Sequence, residues 1–254
     1  MFSKFFGKSK SQSAQVETET PRPAATAVRP EEAALMVAIE KQKQADPLIG
    51  AKIGGKEVLS RLMSAMKNDK GVHVESLFCA LGALAGYACQ ANLREQAIAR
   101  GMNPNAPFQV AKTKDGKCYY FGDPLNSALA EGKLSVWSLA AGAAQHNGAK
   151  TLPDINEMFQ RTASNIGSEK FGVPNLIDGH AAGELPAAYL RSLWPALLPL
   201  VKKLAGDPML WPVVYGFAIQ EAMDMAKSAL PPHIALALTM EAAIPMSKVE
   251  LSSL

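Results

Sequence analysis

Apolar positions recur at helical spacing along most of the chain, and the longest such stretch runs from Gly71 to Arg100. Set at about 100° per residue from Val74, one broad side carries Val74, Leu77, Phe78, Leu81, Leu84, Tyr87 and Ile98. The other carries Cys79, Gly82, Ala83, Gly86 and Cys89, and Glu75 is the one charge before Arg94. A helix that is large on one side, small on the other and without a polar stripe is buried on both. Each interior glycine costs roughly 1 kcal/mol against alanine, so Gly82 and Gly86 predict a neighbouring helix at close approach. Membrane helix pairs use the same Gly-x-x-x-Gly spacing. The uninterrupted apolar run, Leu77 to Cys89, is shorter than the roughly 20 residues a bilayer needs, so the pattern predicts a core helix.

Upstream, Glu31 and Glu32 suit a helix start, Leu35, Met36 and Ile39 form its stripe, and Asp46-Pro47 ends it. Gly54-Gly55 reads as a loop before a second amphipathic helix with Val58, Leu59, Leu62, Met63 and Met66 on one face. Downstream, Pro107 to Lys112 and Lys117 to Phe121 flank an Asp115-Gly116 turn, a hairpin signal. A lone hairpin is not stable, so it is expected to lie on the helical body, with Tyr119 and Phe121 facing one way and Tyr120 the other. A short helix opens at Asp123-Pro124, another is capped by Ser135, and a third follows Pro153. Ser168 to Gly183 has no period and reads as a long ordered loop.

From Glu184 onward the chain is apolar and punctuated by prolines, which predict short helices at about 186–194, 196–205, 209–229 and 232–243. The residues after Pro245 are expected to pack loosely. These elements define the fold class: mainly α, one multi-helix, bundle-like domain over residues 31–254, with an inserted β-hairpin at about 107–121.

Composition changes the picture mainly at the start. Ser11 to Pro30 is rich in Ser, Gln, Thr, Ala and Pro, too polar to bury a core, so residues 1–30 read as a disordered basic tail and linker. The tail carries Lys4, Lys8, Lys10, Arg22 and Arg29 against Glu17 and Glu19, which accounts for the whole net charge of +3. The remaining body is neutral, which argues against a nucleic-acid partner. Phe2, Lys4, Phe5, Phe6 and Lys8 form a candidate foothold on an anionic membrane surface, and a weak one, because one short basic segment binds only marginally. Three cysteines in 254 residues make no disulfide framework, so reduced thiols and a cytoplasmic location are expected.

No HExxH, CxxC, G-x-S-x-G or complete phosphate-loop motif occurs, so neither metal nor cofactor is expected. Gln220, Glu221, Asp224 and Lys227 share one arc of their helix and read as a solvated face. Asp178, His180 and Glu184 place acids beside a histidine in the long loop, a candidate general-base pair. Glu241 sits in a segment apolar nearly all round, where a carboxylate is costly without a partner. Arg94, Arg161 and Arg191 are candidate partners, as is Lys248 beyond the helix, and Glu241 is expected to be a structural buried acid.

The leading expectation is a cytoplasmic, non-enzymatic interaction or adaptor protein with a protein partner. One alternative is a hydrolase-like enzyme of small molecules with a site near the 168–184 loop. The other is a peripheral membrane protein using its Phe/Lys start.

Overall fold

A computed structural model describes residues 30–176 and 179–254. Phe2, Lys4, Phe5, Phe6 and Lys8 lie outside these residues, as do the linker through Arg29 and Asp178.

The fold is mainly α. In chain order come α1 (Pro30–Gln42), α2 (Ile49–Met66), a two-residue ribbon β1 (Lys67–Asn68) and β2 (Gly71–Val72), and the long α3 (Val74–Ala99). The hairpin β3 (Gln109–Lys112) and β4 (Cys118–Phe121) follows, then α4 (Asp123–Asn126), one π-helical turn (Ser127–Glu131), α5 (Val136–His146) and α6 (Ile155–Ser164). The chain finishes with α7 (Pro186–Ala205), α8 (Trp211–Ala226) and α9 (Pro232–Met246).

Helix α3 is the axis of the core, and the small side read from the sequence faces α9. A Cβ on Gly82 would overlap the carbonyl of Thr239, and one on Gly86 the carbonyl of Ala243. The two backbones therefore touch, which gives the glycines their packing return. Taken whole, α3 is the one helix among the described residues long and apolar enough to cross a membrane, but 83% of its apolar window is buried inside the protein. Its large side meets α7 and α8, where Tyr87 meets Trp194 edge-on at 4.9 Å between ring centroids and Trp194 stacks on Tyr215.

Three expectations need correction. First, Gly54 and Gly55 are inside α2 rather than before it. A Cβ on Gly55 would lie 2.8 Å from Phe217 Cβ and 2.9 Å from the Val214 carbonyl oxygen, so these glycines mark a close approach to α8. Second, α7 runs straight through Pro195 and Pro199. Both prolines are on the exposed face, where the carbonyls they leave unpaired reach water. The opposite face buries Leu190, Trp194, Leu197, Val201 and Leu204, and that burial outweighs the lost bonds.

Third, the residues after Pro245 pack tightly. Ser247, Lys248 and Val249 are buried, and Val249 bridges to Tyr119 beside β4 while the Tyr120 amide donates to the Lys248 carbonyl at 2.9 Å. Gln90 of α3 donates to the carbonyls of Ser247 and Val249 at 2.9 and 3.1 Å. Arg94 holds the Glu250 carboxylate with two bonds of 3.2 and 3.0 Å, and the Tyr120 hydroxyl donates to the same carboxylate.

This strap is also how the hairpin is attached to the body. Strand β3 pairs with β4 in the register Val110↔Tyr120 and Ala111↔Tyr119. Tyr119 turns toward Phe171 and Tyr120 toward Phe108 and Arg94, so both faces of β4 are covered.

Candidate functional site

A groove of about 730 Å³ lies between α2 and α8. It exists because the close approach of these two helices is local. They meet at Gly55 against Val214 and Phe217; further along, the pair opens. Leu59 and Met63 of α2, Leu77 of α3, and Ala222 and Met225 of α8 make an apolar interior, and the β1–β2 ribbon closes one end with Val72. Met225 is 56% exposed, a large apolar side chain left facing water.

One wall of the groove is a polar ridge on α2. Lys56, Ser60 and Ser64 follow each other at i, i+4 and i+8, and Lys67 stands just beyond the helix end. Glu221 is on the opposite wall. It belongs to the arc read from the sequence as a solvated face. Part of that arc is structural, since Gln220 donates to the Leu139 carbonyl at 3.2 Å and Asp224 accepts from Asn147 at 2.6 Å.

The sequence-predicted site residues are elsewhere. His180 meets Glu75, in the first turn of α3, with Nδ1 3.2 Å from Oε1. His73 approaches the other oxygen of the same carboxylate, Nε2 to Oε2 at 3.3 Å. The Ser76 hydroxyl accepts the Gly183 amide at 2.8 Å and lies 2.8 Å from His73 Nδ1. Burial pushes the Glu75 carboxyl up, but a backbone N–H at the helix start and the two histidines pull it further down, leaving it below the ordinary range.

The cluster is an unbroken serine–histidine–glutamate–histidine relay that pins the 179–185 loop to the start of α3. Ser76 is only 5% exposed, so its hydroxyl is turned inward. Glu184 contributes through its backbone: its amide donates to the Tyr189 hydroxyl and its carbonyl takes the Cys79 thiol. Burial pushes the thiols of Cys79 and Cys89 up to about 12, so neither is a thiolate near neutral pH.

Glu241 is 7% exposed and forms an ion pair with Arg161, one of the three arginines named from the sequence. Its second oxygen accepts the Asn175 amide at 3.0 Å. Burial pushes its carboxyl above the ordinary range, with the Asn175 amide and Arg161 opposing. The pair lines a pocket of about 310 Å³ with Glu157 and His233. Among the described residues no group of three histidine, cysteine or acidic side chains is placed to hold a metal ion.

Sequence reasoning missed the groove and the Glu75 relay. The groove had a local signal, the i, i+4, i+8 polar ridge beside Leu59 and Met63. The relay had none, because His180 and Glu75 are 105 positions apart. Comparisons with protein-family models, with curated proteins and with solved structures find no match to this chain.

Proposed function

We propose that this is a cytoplasmic, non-enzymatic interaction protein whose partner docks in the α2–α8 groove. The groove carries this reading: an open, apolar channel with a half-exposed methionine on its wall, at the size and composition of a recognition site. Methionines suit such a surface because their side chains adapt to a partner's shape. The hydrolase-like alternative, with Asp178, His180 and Glu184, has less support. His180 is engaged with Glu75, and the Ser76 hydroxyl of the same cluster is buried and already accepts an amide.

The test is affinity capture from the native cell with the wild-type chain and with Met225→Asp. A partner held by wild type and lost from the variant is the expected result. Identical captures from both would overturn the reading.

A further inference from the structure

The groove's charge narrows the choice of occupant. On the α2 wall, Lys56 and Lys67 stand at the two ends with Ser60 and Ser64 between them. Neither lysine side chain has an ion-pair or hydrogen-bond partner among the described residues. Eleven positions separate them, about 16 Å at 1.5 Å per helical residue. Two unneutralised cations at that separation, flanking an apolar floor, ask for a ligand with an apolar face and two negative charges about three helical turns apart.

We infer that the occupant is an amphipathic helix of a partner protein, its apolar stripe in the groove and acidic residues along the edge facing α2. This rests on the docking reading above and adds the partner's chemistry. A helix fits because residues at i, i+4, i+7 and i+11 share one face, so two acids on one edge reproduce the Lys56–Lys67 spacing. A fatty acid or a lipid offers a single anionic head and leaves one lysine unanswered. Single-stranded nucleic acid reads aromatic platforms, and no aromatic side chain is on the walls described here. The chain's own first residues bring Lys4, Lys8 and Lys10 beside their phenylalanines, a like charge against the ridge.

Binding by the full chain is measured with three labelled synthetic peptides, each about four helical turns long. The first has leucines along one face, glutamates along one edge and neutral polar residues along the other, which would face Glu221. The second replaces every glutamate with lysine, and the third keeps the glutamates but has a central proline. The acidic helix should bind about tenfold tighter than either of the others, with a preference that weakens as salt rises. The double variant Lys56→Glu with Lys67→Glu should reverse the order of the first two. Met225→Asp and, separately, Ala229→Asp on the exposed opposite wall should abolish binding, with melting curves showing that both variants fold.

If acidic and basic helices bind equally and both blocking variants remove them, the acidic-partner inference fails and the docking reading stands. If no peptide binds, or folded blocking variants bind as wild type does, the groove is not the docking site. Three other results overturn the proposed partner: a wild-type dimer that Met225→Asp returns to monomer, peptide affinity that rises when residues 1–29 are deleted, or Met225-dependent capture of phosphatidylglycerol vesicles in place of the peptides.

Discussion

Two helix pairs in this molecule begin with the same device and finish differently. Along α3 and α9, Gly82 and Gly86 bring backbone against backbone, and the contact stays closed into the strap that follows α9. Along α2 and α8, Gly55 does the same at one end, with Gly54 against the Val214 side chain. Beyond them α2 carries Leu59 and Met63 where it would need further small residues, and the pair opens into the groove. The difference shows that small residues set where helices touch, and that a groove opens where that run of small residues stops.

The largest expected effect breaks the closed pair. Gly86→Leu puts a branched side chain where even a Cβ overlaps the Ala243 carbonyl. Overpacking ordinarily costs about 1–3 kcal/mol, and because backbone is struck here the loss should reach at least about 3 kcal/mol. Chemical denaturation reads it directly, and an unmoved midpoint would mean that α3 and α9 are not in backbone contact.

Next in size is the titration of Lys248, which tests how dry the closed side is. Its ammonium donates to Asn126 Oδ1 at 3.2 Å, with Phe121 and Phe159 about it. Burial lowers its pKa from 10.5 to about 8. Below about pH 8 both folded and unfolded chains hold the proton. Between that pH and 10.5 the unfolded chain holds more of it, so the lysine's own contribution to stability rises with pH, while the thiols of Cys79 and Cys89, which the fold keeps protonated up to about 12, contribute in the opposite direction. That contribution of the lysine should change by about 2–3 kcal/mol across the window, at about 1.4 kcal/mol per pKa unit, and is read as the growth with pH of the stability difference between wild type and Lys248→Met. A difference between the two chains that stays constant across that window would show that water reaches the ammonium.

A smaller loss, about 1–2 kcal/mol at pH 7, is expected for Glu250→Gln, which weakens the strap's charged bonds to Arg94 and Tyr120. Burial pushes the Glu250 carboxyl up and those two partners pull it down further, so it lies below the ordinary range. Its contribution is therefore present above the unfolded carboxyl pKa of about 4.3 and is lost as pH falls through the lower folded value. The variant should show a shallower acid limb in thermal melts across that range, and an unchanged limb would detach Glu250 from the strap's stability.

The least effect is expected in the open pair. Met225→Asp should shift stability by no more than about 0.5 kcal/mol, the usual size for an exposed position. A loss comparable to that of Gly86→Leu would show that the groove is a structural part of the core.

Much of the closed pair was legible from the sequence. The large and small sides of α3 follow from its wheel, and the turn at Asp115-Gly116 and the cap at Ser135 announce themselves locally. The open pair was less so. A Gly-Gly step reads as a break unless the facing residues, Val214 and Phe217, are known, and these lie about 160 positions away. Pro195 reads as a helix end, between helices at 186–194 and 196–205, because burial of the opposite face has no local signature. The strap was missed because its order comes from Gln90, Arg94 and Tyr120, which its own residues do not disclose. An all-round apolar segment did mark Glu241 as a carboxylate in need of a partner, though the wheel could not choose Arg161 among three arginines.

The strap also sets a timetable for synthesis. Helix α3 is complete once residue 99 has been made, yet α9 and Ser247–Glu250, which cover it, follow about 150 residues later. At roughly 5–20 residues per second of translation, its small face waits on the order of ten seconds without its native cover. During that interval a long apolar helix is open to chaperones and to other nascent chains, an aggregation hazard that falls before α9 has left the ribosome.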